Sequence, residues 1–523
     1  MHGRMSKKKL ARNIGSMSIA VFFSRILGLV RDQVMAFFFG GGYLNDAFNV
    51  AYNIPNLLRR LFGEGALSTA FVPIYTRMGK EKGREEQIDF ALNLLSILSV
   101  ILLILTALGM LFAPALVKIL YPGLDPLSTP IAIKLTRIIF PYLFFIGLSS
   151  TFIAILNSHD YFFMTGLSSA LLNIGMILSI IIPYFVFKME PEQLIYPAGW
   201  GVFIGGFLQT VVNFPYLKKV GYRFKIMLKF GGEALATLWK RFIPGMIGIG
   251  IREINLVADA LMASFLPIGS ITALGYGNRL MQLPLGIFAI SAGTAVLPMY
   301  SRLVGEKNYK ELSSNLRFAS LNLVYIMLPI TALILALAPD FITILFGRGA
   351  FDDHAIWMSS QALIFYSLGL IFYSMNQVLT PIFYAQGDTK TPMKLAAILV
   401  ALNITMNFVL MQFIQHRGLA LSTSITALIN YGMLLFLIRK RYPQISYEGI
   451  TLNLLKSIVI AALVYFQSWL LASVITLTGT LGLLVKASII SALGFVSFFA
   501  LGLLFRLSFL KETSRNLWKR FRR

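Results

Sequence analysis

Long apolar runs, interrupted at intervals by short polar segments, dominate the chain. A helix needs about 20 apolar residues to cross a bilayer core. On that count, spans are expected at 14–40, 46–76, 88–117, 131–157, 161–187, 194–217, 241–266, 271–300, 312–338, 355–385, 392–414, 417–438, 451–476 and 481–506. These fourteen segments are expected to be helices, because an open sheet leaves edge backbone groups unsatisfied in lipid. The pattern predicts an all-α polytopic membrane protein.

The polar segments alternate in charge. On one side they read KEKGRE, KKVGYRFKIMLK, SRLVGEKNYK, DTKTPMK, RKRY and the terminal KETSRNLWKRFRR. On the other they read GGGYLND, YPGLDPLSTP, MEPEQ, LPIGS, FGRGAFDD, QHRG and TLTGT, with very few basic residues. Basic loops stay in the cytoplasm, so both termini are expected there. The opening MHGRMSKKKLAR lacks a small-residue cleavage site and reads as a retained tail.

The apolar pattern is also duplicated. LVRDQVMAFFFG at 29–40 matches LVADALMASFLP at 256–267, and FVPIYTRMGKE at 71–81 matches VLPMYSRLVGE at 296–306. Asp160 matches Asp388, and LNI recurs at 172–174 and 402–404. A repeat of six helices, an even number, gives parallel halves related by an axis along the membrane normal, and transporters place substrate between such halves. The expected organisation is an N-lobe at 1–217, an amphipathic cytoplasmic linker at 218–240 and a C-lobe at 241–441. Two extra helices at 442–507 and a basic cytoplasmic tail at 508–523 follow. The fold class is thus two parallel six-helix lobes around a central cationic cavity, with two C-terminal helices outside the duplication.

Composition removes several functions. The 523 residues are 57% hydrophobic and 13% charged, with a formal net charge of +24. In a soluble chain that charge would suggest nucleic acid. Here the basic residues sit in short loops, so orientation accounts for them, and anionic membrane lipids are the secondary partner. With no cysteine there is no thiol or cluster chemistry. No GxxxxGK[ST] loop is present, so no nucleotide is expected. The histidines (His2, His159, His354 and His416) have no metal-ligand spacing.

Against this background the charges at bilayer depth stand out. The stretch Ser24–Glu64 carries Arg25, Arg31, Asp32, Asp46, Arg59, Arg60 and Glu64. Each ionised side chain costs roughly 2.5–3.5 kcal/mol to insert, so the cluster needs a reason. Mutual pairing in a packed bundle is one; a water-filled cavity that receives an anion is the other. Arg25 and Asp32 share a helix face, as do Ser24 and Arg31, with Gly28 between them. Arg59 and Arg60 follow Pro55 in a span interrupted again by Gly63 and Gly65, and Arg60 with Glu64 has the i,i+4 spacing of a salt bridge. The second half adds Arg252, Glu253, Asp259 and Arg279. Arg252 and Glu253 are as well suited to pairing with each other as to function. Arginine matches phosphate through bidentate hydrogen bonds, so the arginine excess points to a phosphate-bearing substrate. Asp259, with Asn403, Asn407 and Thr423, offers oxygens for Na⁺, or these groups simply bond between helices.

Four blocks carry a resemblance: SRILGLVRD (24–32), NDAFNVAYNIPNLLRRLFGEGALSTAFVPIY (45–75), YGNRLMQLPLGIFAISAGTAVLPMYSR (276–302) and YAQGDTKTPMK (384–394). Through them the chain resembles the bacterial lipid II flippases of the MurJ or MviN family. The resemblance implies the fourteen-helix fold of the multidrug/oligosaccharidyl-lipid/polysaccharide exporter superfamily. It further implies non-enzymatic transport of lipid II, undecaprenyl-pyrophosphate-linked disaccharide-pentapeptide, across the bacterial inner membrane. The family's essential cavity arginines fall on Arg25, Arg31, Arg59 and Arg279, with Asp32 and Asp46 as acidic companions. Ser24, Arg60 and Glu64 also match its pattern. A family sodium site maps onto Asp259, Asn403, Asn407 and Thr423, with Asn407 standing where the family has an aspartate. The resemblance implies no bound cofactor beyond Na⁺ or membrane-potential coupling, a groove for the prenyl tail along the last two helices, and the cell-wall synthesis machinery as a further partner. Export of another lipid-linked oligosaccharide, an O-antigen or capsule unit, is the alternative reading.

Overall fold

A computed structural model describes residues 7–63, 66–223 and 225–507. Glu64 and the basic tail at 508–523 therefore lie outside the described residues. Every expected span is occupied by helix, several of them in two pieces, and no strand occurs among the described residues. By length and apolarity alone, nine helical segments among the described residues qualify as membrane spans, or up to eleven if two bent helix pairs are counted.

The chain forms two compact units. The first runs to Ile268 and takes in Gly349–Phe351; the second holds the remainder. The first unit contains α1 (Lys7–Phe39), α2 (Tyr43–Gly63), α3 (Ala66–Glu81), α4 (Arg84–Leu111), α5 (Ala113–Leu120), α6 (Ser128–Ile139), α7 (Tyr142–Asn157), α8 (Phe162–Phe187), α9 (Pro191–Val211), α10 (Phe214–Lys219) and α11 (Glu233–Ser264). The second contains α12 (Ser270–Pro284), a π-helical turn at Leu285–Ile290, α13 (Ser291–Gly305), α14 (Tyr309–Phe346), α15 (Asp353–Ser367), α16 (Leu370–Ala385), α17 (Lys390–Ile414), α18 (His416–Arg441), α19 (Ile450–Val474) and α20 (Gly479–Leu504).

Lipid is as apolar as leucine, so close packing, rather than escape from water, holds such helices together. In the first unit, α8 meets α9 through glycines. A Cβ on Gly175 would stand 2.8 Å from Gly205 Cα, and one on Gly205 would stand 2.7 Å from Leu172 Cα. That seam holds α8 in place, and α8 in turn packs on α1. The ends of α1 and α2 join α6, α7, α8 and α9 in one core that includes Phe38, Phe48, Ile139, Tyr142, Met176 and Val202. Gly40, at φ +63°, leaves no room for a side chain against the carbonyl of Ala350, whose own N–H donates to Phe37 O at 2.8 Å. α11 also belongs to this unit and packs on α2 and α3.

In the second unit, α14 packs on α19 and α20, with Leu333, Leu337 and Ile490 as a small buried core. Outward surfaces in both units are apolar. Phe185 is 71% exposed and Phe413 is 78% exposed, which suits lipid and not water.

Candidate functional site

In the first unit, Arg31 is half-buried and all three of its guanidinium nitrogens donate. Nε and Nη2 donate to Asp32 Oδ1 at 3.1 and 2.8 Å, while Nη1 donates to Asn173 Oδ1 at 3.0 Å. Neighbouring helix positions do not normally face each other, so the Arg31 side chain must curl back to reach the next residue. Asn173, on α8, also donates to the Ser24 carbonyl at 3.2 Å, and Ser24 Oγ lies 2.9 Å from Ser169 Oγ. Ser24, Arg31 and Asp32 are thus brought together by α8. Gly28 is not what permits that approach: a Cβ there would meet Asn173 Nδ2 at 3.7 Å, an ordinary contact. Arg25 projects from α1 and is exposed.

Asp46 is buried in the first turn of α2, where the positive helix end favours a carboxylate. Beside it, Asn45 donates to Gly40 O at 2.8 Å. Helix α2 continues through Pro55, so the expected disturbance there does not end it; its last described residue is Gly63. Arg59 Nε donates to Asn56 Oδ1 one turn earlier. Arg60 Nη1 lies 3.1 Å from Glu253 Oε2 on α11, 193 residues away, while Glu64 lies outside the described residues. The side chain of Arg252 lies outside the described ones, so only the Arg60 partner of Glu253 is described. This part-buried bridge, with Asn53 and Tyr121, lines a cavity of about 120 Å³ between α2, the end of α5 and α11. Asp259, also on α11, accepts from Asn255 Nδ2 at 3.2 Å.

In the second unit, Arg279 is exposed on α12, with its guanidinium 6.0 Å from the Tyr276 ring. Asn403 and Asn407 are buried together between α17 and α18. Asn407 Nδ2 donates to Asn403 Oδ1 at 3.1 Å, Asn403 Nδ2 reaches Ser422 and Thr426 at 3.4 Å, and the Ser422 hydroxyl donates to Asn407 Oδ1. Thr423 instead bonds its own helix, at Leu419 O. Each of the two amide oxygens accepts a hydrogen bond within this knot. Among the described residues, no group of three or more His, Asp or Glu side chains could hold a metal.

Sequence reasoning missed Asn173, Ser422, Thr426 and one further ion pair. Asn173 was visible as the middle of the LNI repeat, where it is the counterpart of Asn403. The pair is Lys486 on α20 with Asp340 on α14, at 3.1 Å, with side chains only 12% and 16% exposed. Its signal was a lone lysine inside the last apolar span.

Helices alone, apolar outer surfaces and ion pairs at bilayer depth define a multi-pass α-helical membrane protein. A solved structure described as an inward-facing multidrug resistance MATE family transporter of the MOP superfamily shares the fold, with TM-score 0.68, 14% identity, and coverage of 84% of this chain and 99% of that one. The particular family is closer. The profile described as Lipid II flippase MurJ matches residues 35–490. A probable lipid II flippase MurJ of Buchnera aphidicola subsp. Baizongia pistaciae (strain Bp) is 34% identical over 433 residues, covering 81% of this chain and 82% of the relative. A solved structure described as lipid II flippase MurJ, inward closed conformation, superimposes with TM-score 0.77 at 30% identity, covering 94% of this chain and 98% of that one. The chain belongs to the lipid II flippase MurJ family, a family of membrane transporters and not of enzymes.

Proposed function

We propose that this protein moves lipid II from the cytoplasmic to the outer leaflet of the bacterial cytoplasmic membrane by alternating access, with both termini in the cytoplasm. The family match across residues 35–490 carries this reading. The arginines supply its chemistry. A guanidinium fork pairs with two phosphate oxygens at once, and in this conformation the fork of Arg31 is occupied by Asp32 and Asn173. Asp32 acts as a stand-in anion that holds Arg31 in place until a pyrophosphate oxygen displaces it. Arg25, with Ser24 next to it in sequence, and Arg59 are the further phosphate donors of the first unit, Asp46 is an acidic companion, and Arg279 is the donor of the second unit. Arg60 is a brace on Glu253, so its contribution is to the scaffold. The halves 1–217 and 241–441 are the moving bodies, 218–240 is their linker, and the helices of 442–507 flank the prenyl tail.

Cells depleted of their own flippase test this reading. Arg25→Ala, Arg31→Ala and Arg279→Ala are each expected to be expressed and to fail to restore growth; normal growth of all three would sink the clamp. Transport of labelled lipid II in proteoliposomes, with Na⁺ and membrane potential varied independently, settles the driving force. Loss of transport without Na⁺ would make coupling to that cation the driving force. Faster movement of an undecaprenyl-pyrophosphate O-antigen or capsule unit than of lipid II would favour the alternative substrate.

A further inference from the structure

By the repeat, α11 is the counterpart of α1 and belongs to the second half: LVADALMASFLP at 256–267 stands where LVRDQVMAFFFG stands at 29–40. In the structure it is nevertheless a member of the first unit, packed on α2 and α3. Two contacts of different kinds hold it there. At its C-terminal end the fit is steric. Ser264 Oγ accepts the Gly123 N–H at 3.1 Å, and a Cβ on Gly123 would stand 2.7 Å from Phe265 Cα, well inside carbon contact distance. Further back along the helix the contact is ionic, where Arg60 of α2 meets Glu253 at 3.1 Å. This second contact borders open space, the cavity of about 120 Å³ that Asn53, Leu57, Tyr121 and Val257 help to line.

The cavity has polar walls and is roomy enough for water. That makes the ionic contact different in kind from the steric one. Parting two close-packed backbones forfeits dispersion contacts outright, with nothing in exchange. Parting an ion pair beside water exchanges it for two hydrated charges, and the two arrangements lie close in free energy because the pair gains little over its own desolvation. Such a contact can open and close, whereas an apolar seam of the same volume stays shut. Neither charge serves a pyrophosphate directly, since Glu253 neutralises Arg60 and repels an anion. We propose that the Arg60–Glu253 brace is a releasable clasp: the two are positioning residues whose separation frees the middle of α11 from α2 in each transport cycle, while the Gly123 contact stays as the anchor. The proposal rests on the transport reading, but the clasp also has a readout that needs no substrate.

The chain has no cysteine, so Val257→Cys places a single thiol at the cavity wall. Its rate of labelling by a methanethiosulfonate reagent in proteoliposomes reports the open clasp; lipid II transport and thermal unfolding are measured alongside. Glu253→Gln weakens the clasp and should raise the labelling rate about tenfold. Arg60→Met with Glu253→Leu is the decisive variant and keeps the test open if Glu253→Gln does not fold, because apolar groups replace the pair without leaving a charge alone. It should melt at or above the wild-type temperature, yet label and move lipid II about tenfold more slowly. A brace that never opens predicts wild-type labelling and transport in this variant, and that result would overturn the clasp. Equal labelling of wild type, Glu253→Gln and the apolar pair would overturn it as well. If the wild type moved no lipid II, the transport reading would fall, and the labelling rates alone would decide whether the clasp opens.

Discussion

Tyr75 and Tyr300 occupy the same place in the repeat, near the ends of α3 and α13, and both are fully buried. Around Tyr75 the first unit gathers a closed network. Arg84 donates to Gln87 Oε1 at 2.9 Å and to the Val220 carbonyl, Gln87 donates to Tyr75 O at 3.0 Å, and His159 and Tyr222 meet the Tyr75 hydroxyl. Around Tyr300 no such network forms among the described residues, and its hydroxyl has no hydrogen-bond partner there. The second unit places its strong polar contacts elsewhere, in the buried Asp340–Lys486 pair and in Asp388, which accepts from Thr391 and pairs with Arg441 at 2.8 Å. Duplicated scaffolds thus keep their helices and their tyrosines, while the polar partners diverge. Packing depends on volume, which the repeat preserves; hydrogen bonding depends on single atoms, which one substitution removes.

That contrast can be broken by mutation, and the largest effect should come from the ion pair. Lys486→Met leaves Asp340 without its cation in a low-dielectric surrounding, which typically costs about 3–5 kcal/mol. Thermal unfolding of the detergent-solubilised protein should show it, and the double change Asp340→Leu with Lys486→Met should recover most of the loss. If the single and double variants melt alike, the pair does not join α14 to α20. Next in size is Tyr75→Phe, which strips Tyr222 and His159 of a shared partner and should destabilise by about 1–3 kcal/mol. Tyr300→Phe is the matching change in the second unit and should be neutral or stabilising by up to about 1 kcal/mol, because it deletes an unsatisfied hydroxyl. Equal losses at the two positions would show that the units are not different in this respect.

The smallest expected effect is on pH dependence. Hydrogen bonds from the Thr391 hydroxyl and N–H, and the charge of Arg441, hold the Asp388 carboxyl below its usual value of 3.8. A depressed carboxyl contributes stability above the unfolded value and loses it as pH falls through the folded one. Melting temperature should therefore drop below about pH 4 more steeply in wild type than in Asp388→Asn. Identical slopes would mean that the Asp388–Arg441 contact is too solvated to matter.

What the sequence determined by itself was whatever local periodicity encodes. Apolar runs long enough to cross a bilayer mark where the helices lie, because each helix satisfies its own backbone in lipid whatever its neighbours do. Repeat spacing showed the duplication, and the block around Arg59–Arg60 showed the family. α2 runs through Pro55, because surrounding helices and local adjustment in a membrane tolerate one lost hydrogen bond. The tertiary structure decided who pairs with whom. Spacing alone offers Arg60 the nearby Glu64, and only the fold brings it Glu253 from another helix. Arg31 needed Asn173, 142 residues away, and Lys486 needed Asp340, 146 residues away. Such partners are chosen by how whole helices pack, through close contacts such as Gly175 against Gly205, and no pattern within a single span carries that information.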